Sequence, residues 1–177
     1  MSPINNQKEP IKCQTVGFML FLNALSLKRP YYLFFLSLLF GTPGFAQEAE
    51  KEAIKRVVMQ ETESYLGVDY ETWADTWVQA PVAYWSFSDK DGSQFISSWD
   101  NIQKTFESYF QSQKPSKHKI SYTWQDIRAY AGGAYVRFQQ KSDDGRRQEV
   151  TDQIRVLEKK DGKWKIICMI AVVEVEE

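Results

Sequence analysis

The sequence predicts an α+β domain in which a curved, mainly antiparallel sheet folds over three helices. Three observations carry this. Apolar residues recur at helical spacing between Glu50 and Trp77 and again after Ser98. From Ile120 onward the period falls to two, and turn residues recur at short intervals, at Gly132-Gly133, Asp143-Asp144-Gly145 and Asp161-Gly162. Helices stand mostly first and strands mostly last, which is an α+β order.

Taken in order, the first helix begins at Glu50, with Ile54, Val57, Val58, Glu61 and Tyr65 on one face. Gly67 ends it, as a residue tolerant of positive φ. Asp69 is placed to cap a second helix whose stripe is Tyr70, Trp73, Ala74 and Trp77, with Pro81 at its end. From Val82 the pattern alternates. Ala83, Trp85 and Phe87 face one side, and Val82, Tyr84, Ser86 and Ser88 the other. Lys90-Asp91-Gly92-Ser93 turns the chain into a short return strand. Ser98 or Asp100 can cap the third helix, which presents Ile102, Phe106 and Tyr109 or Phe110. Four strand patterns follow the loop at Lys114–Lys119, starting at Ile120, Ala134, Glu149 and Trp164.

The 177 residues are 43% hydrophobic and 15% aromatic, enough for one packed domain. A net charge of −1 with no basic face argues against nucleic acid as a partner. At the N-terminus, Lys28-Arg29, the apolar run YYLFFLSLLFG and a small-residue end at Gly44-Phe45-Ala46 read as a secretory signal cleaved after Ala46. The run falls short of the roughly 20 residues needed to span a bilayer. The earlier stretch TVGFMLFLNALSL keeps an uncleaved anchor, or a later start such as Met19, as alternatives. The expected organisation is therefore an extension plus signal over 1–46 and one domain over 47–177, periplasmic or secreted, without a membrane contact after cleavage. That leaves 131 residues with a formal charge of −4, because the leader holds four basic residues and one acidic residue. Cys13 goes with the leader. Cys168 then has no disulfide partner in the chain and reads as a small buried hydrophobe.

The segment ETWADTWVQAPVAYWSF concentrates large rings. Burying one Trp removes roughly 150–250 Å² from water, worth about 4–6 kcal/mol as an upper bound. Core packing alone accounts for rings of this size. Flat walls for a ligand cavity are the competing reading, with Trp73, Trp77, Tyr84 and Trp85 as candidates and Trp99 and Trp124 able to serve either. Two carboxylates stand on otherwise apolar faces. Asp152 alternates with Val150, Ile154 and Val156, so it meets a wet cavity or a partner. Glu61 lies one turn from Val57 and Tyr65. Facing one cavity, they would make an acid/base pair. One His and one remaining Cys leave almost no zinc ligand set, and no phosphate loop, nucleophile elbow or dinucleotide fingerprint is present, so no metal and no cofactor is expected. His118, in PSKHKI, reads as an ordinary exposed loop residue.

EKEAIKRVVMQETESYL, GVDYETWADTW, WDNIQKTFESYF and TDQIRVLEKKDGKWKII, spread from Glu50 to Val173, resemble the SnoaL-like branch of the nuclear transport factor 2-like superfamily. The resemblance implies a cone-shaped barrel of a curved, mainly antiparallel sheet packed on about three N-terminal helices, open at one end and often a homodimer through the sheet. Its members include isomerases, cyclases and dehydratases. An ungapped comparison with ketosteroid isomerase places the oxyanion aspartate at Asp152, the tyrosine at Glu61 and the base at Trp85. Only the first is retained, so the isomerase mechanism does not transfer, and an enzyme is not the leading expectation. That expectation is binding of a small, partly apolar molecule. The alternatives are acid/base chemistry by Asp152 and Glu61, or a dimeric interaction module without a ligand.

Overall fold

The structure, a computed structural model, describes residues 43–174. Most of the expected leader, Cys13 and Met19 lie outside the described residues. Helix α1 spans Pro43–Leu66, so it begins seven residues before the expected start, and the cleavage expected after Ala46 falls within its first turn. Its buried face carries Ile54, Val58 and Glu61. At its end the positive φ falls on Val68 (56°) rather than on Gly67. Gly67 is required there by closeness, since a Cβ would lie 3.0 Å from the Glu63 carbonyl oxygen.

Helix α2 (Tyr70–Asp75) is capped as expected, the Asp69 carboxylate accepting the Thr72 N–H at 3.1 Å. It stops two residues short of Trp77, which instead bridges to Ile166. Helix α3 (Trp99–Ser112) follows Ser98, whose φ of 76° turns the chain but whose hydroxyl makes no cap bond.

The strands are β1 (Tyr84–Asp89), β2 (Gly92–Ser97), β3 (Lys119–Ala129), β4 (Gly133–Asp143), β5 (Gln148–Lys160) and β6 (Lys163–Val173). They form one curved, open sheet in the order β2-β1-β6-β5-β4-β3. All neighbours are antiparallel except β1 and β6, which run parallel. Register breaks at Trp124/Asp126 and Val156/Leu157 add local bend, as bulges do. The helices lie on the concave side. Ile54, Val58, Trp73, Trp77, Trp99, Ile102, Phe138, Leu157 and Ile166 make the core between them and the sheet. Trp73, Trp77 and Trp99 pack as a triangle with ring centroids 5.5–6.5 Å apart. Among the described residues, no helix is long and apolar enough to cross a membrane.

Candidate functional site

The phase of β5 decides which side chains can meet the concave interior. Thr151, Gln153, Arg155 and Leu157 are all buried, while Asp152, Ile154 and Val156 alternate with them on the outer face. The neighbouring registers agree. Gln153 pairs with Phe138 and Ala171, and Arg155 with Val136 and Met169. The expectation that Asp152 points inward is therefore corrected. Its usual warrant, an apolar companion set, misleads here because the outer face of β5 is the apolar one and the inner face turns polar along its length. Tyr84 is corrected for the same geometric reason. It pairs with Cys168 on the outer side of the sheet, one step out of phase with Trp85. Trp77 is 2% exposed within the tryptophan triangle and reaches no open space.

Glu61, Trp73 and Trp85 do come together. They line a cavity of about 260 Å³ between the three helices and the sheet. Trp85 and Phe87 form one wall, and Phe106 meets Trp85 edge-on at 5.2 Å. Tyr65, Ile120 and Met169 continue the apolar lining. Strands β4 and β5 add a polar part of the lining: Gln140, Ser142, Glu149, Thr151, Gln153 and Arg155.

Arg155 is 1% exposed and sits over the Phe138 ring at 5.5 Å. Its Nη2 donates to Glu61 Oε2 at 3.3 Å, and Trp73 Nε1 donates to Glu61 Oε1 at 3.2 Å. The carboxylate thus answers a cation and an indole at once, which explains its place on an apolar helix stripe. Burial pulls the Arg155 guanidinium below its ordinary pKa, and the Glu61 charge and hydrogen bond oppose that pull. Arg155 Nε, however, is buried without a partner, and so is Gln153 Oε1. Gln153 Nε2 donates to Thr151 Oγ at 2.6 Å, and Thr151 Oγ donates to the Gln140 carbonyl at 3.3 Å. That relay fixes which end of the Gln153 amide is engaged and leaves its oxygen open.

Burial also raises the pKa of two tyrosines near this network. Tyr65 is pushed up by desolvation, with Tyr109 and Glu61 adding to it. Desolvation pushes Tyr122 up to about 12, with the Thr62 hydroxyl opposing. At the rim, His118 is exposed, and its Nδ1 lies 3.0 Å from Ser142 Oγ. Cys168 is a free, half-buried thiol on the outer side, its pKa pushed up by burial. Among the described residues, no three His, Cys, Asp or Glu side chains are grouped to hold a metal ion.

Arg155, Gln153 and Thr151 were not singled out from sequence. A signal existed. Arg155 stands in mid-strand between Ile154 and Val156, far from any turn, where an arginine needs an internal partner.

No protein-family model and no curated protein matches the sequence. Solved structures do. An NTF2-like protein of unknown function from Shewanella baltica OS155 is 19% identical, with a TM-score of 0.55 over 72% of this chain and 96% of that one. The domain has the nuclear transport factor 2-like fold. A candidate dehydratase of the NTF2-like family from Streptomyces avermitilis is similar at 14% identity and TM-score 0.55, covering 73% of this chain and 99% of that one. A candidate ketosteroid isomerase from Parabacteroides distasonis is similar at 12% identity and TM-score 0.51, covering 66% and 85%. Such low identities establish the nuclear transport factor 2-like architecture and leave the chemistry to the site itself.

Proposed function

We propose that this domain, of SnoaL-like type, binds a small, partly apolar molecule in its concave cavity after export. One observation carries the reading. An aromatic-walled space of about 260 Å³ is also lined by polar side chains, Gln140, Ser142, Glu149 and Thr151 among them. Apolar walls with a few polar groups are what a small, partly apolar molecule needs to be packed and oriented. Trp85 reports on the site directly. A tryptophan-fluorescence titration across a metabolite panel should give at least one saturable change, and Trp85→Phe should remove it. A flat response throughout, with no small molecule retained by the purified protein in native mass spectrometry, defeats the proposal. The acid/base reading loses its pair, since Glu61 faces the cavity tied to Arg155 and Asp152 faces away.

Export itself is tested by N-terminal sequencing of the mature protein, expected to begin at Gln47. A homodimer through the outer sheet face has its own support. Val172 is 44% exposed there, close to Ile154 and Ile170. Light scattering should then show a dimer that Val172→Lys weakens; a wild-type monomer at all concentrations removes this reading.

A further inference from the structure

We infer a reaction at the mouth of this cavity: hydrolysis of an ester whose apolar part fills the hollow, with Ser142 as nucleophile and His118 as its base. The inference rests on the proposed binding role and adds chemistry to it. The two side chains come from neighbouring strands. Ser142, near the end of β4, pairs with Ile120 of β3, and His118 stands just before β3 begins. Both line the cavity. His118 Nδ1 lies 3.0 Å from Ser142 Oγ. With the ring proton on Nε2, the Nδ1 lone pair accepts the serine O–H, the contact a serine nucleophile needs with its base. His118 is exposed and Ser142 half-buried, so substrate and water reach both from solvent.

The surroundings fit this step. Gln140 precedes Ser142 by two positions on the same face of β4 and also lines the cavity. Thr62 Oγ has one proton to give, to the Val58 carbonyl at 3.4 Å or, at the shorter 3.2 Å, to Gln140 Oε1. The shorter bond holds the amide by its oxygen and leaves its NH₂ as a donor for an oxyanion. Asp144 is near enough to feel His118. The backbone N–H groups of Arg147 and Arg146 hold its carboxyl below the usual range, and the charge of His118 adds to that. Such an anion steadies the imidazolium the reaction creates. Glu149, opposite Ser142 on β5, has Arg147 at 3.8 Å. In the first half-reaction Ser142 Oγ bonds to the ester carbonyl carbon and its proton passes to His118 Nδ1. The bond from that carbon to the alcohol oxygen breaks, and the alcohol leaves with the proton. In the second, water adds to the acyl carbon and gives a proton to Nδ1. The bond to Oγ breaks, Oγ recovers the proton, and the acid departs. Tyr65, Trp85, Phe106 and Ile120 line the space for the ester's apolar part.

The test uses two probes on the purified protein: an alkyl fluorophosphonate, its adduct located by peptide mass spectrometry, and 2-naphthyl butyrate, followed by naphthol release. The wild type should carry the adduct at Ser142 and turn the ester over. Ser142→Ala should abolish both, and His118→Gln should slow both by about 100-fold or more, the scale of a general base. Both positions are open to solvent, so thermal melts of the variants should match the wild type and separate lost chemistry from lost fold. A wild type without an adduct at Ser142, ester turnover that survives Ser142→Ala, or labelling as fast in His118→Gln overturns the inference. An ester that changes tryptophan fluorescence saturably yet is not cleaved also overturns it, and leaves the binding role standing. An ester neither bound nor cleaved counts against both. Adduct site and turnover in the wild type decide these outcomes even where a variant folds poorly.

Discussion

Two stretches of the interior, a few strand steps apart on β5, are built in opposite ways. Around Leu157 and Ile166, the space under α1 is filled by Ile54, Val58, Trp77 and their neighbours, each 2% exposed or less. Around Gln153 and Thr151 the same helix and sheet enclose a hollow lined by amide, hydroxyl and guanidinium groups. Arg155 is the hinge of the change, with Phe138 under its guanidinium and Glu61 at its end. The contrast separates two tasks along one strand. The filled end holds helices to sheet by packing. The hollow end gathers polar side chains along β5, with Arg155 Nε and Gln153 Oε1 buried without partners, whereas the filled end holds one such atom, Trp77 Nε1.

The sharpest way to break this division is at its boundary. Arg155→Met leaves the Glu61 charge buried and unpaired, and should lower unfolding free energy by about 3–5 kcal/mol in denaturant titration. The double variant Glu61→Gln/Arg155→Met should recover most of that; equal instability of single and double variants would show that the ion pair is not what joins the two ends. Next comes Leu157→Ala at the filled end, expected to cost about 2–5 kcal/mol. Met169→Ala at the hollow end should fall at or below the low end, about 2 kcal/mol, because its surroundings already include open space. Equal losses would erase the contrast. Asp69→Ala, outside both ends, should cost about 1 kcal/mol through the lost helix cap.

A further effect needs alkaline solution. The folded pKa of Tyr122 lies above its ordinary value, at about 12. The unfolded chain therefore releases that proton first, near the ordinary tyrosine value of about 10. Stability held below that pH should be lost as pH rises from about 10 through about 12. Tyr122→Phe should make this slope shallower in pH-dependent thermal melts. An unchanged slope would mean that Tyr122 does not feel the dry interior.

Much of the scaffold was legible because its signals are local. Asp69 announces a cap that its carboxylate makes, and Asp161-Gly162 announces the β5–β6 turn, where both residues adopt positive φ. The inward phase of Trp85 and Phe87 was also readable, since large rings alternate there with polar residues. The site was harder. Alternation reports the inside only when the inside is apolar, and β5 inverts that condition: Val150, Ile154 and Val156 lie outward, while Thr151, Gln153 and Arg155 lie inward. Asp152 looked misplaced among apolar residues, and it was the apolar residues that faced outward. The partnership of Glu61 with Arg155 spans 94 positions, so no local pattern could have displayed it.

The parallel joint between β1 and β6 has a further consequence. The first strand made during synthesis finds its inner neighbour only when the sixth has been made, so the wall bearing Trp85 cannot be seated hairpin by hairpin as the chain emerges. A nascent chain stalled before Lys163 would hold β1 and β2 as a loose flap with no inner neighbour to pair with.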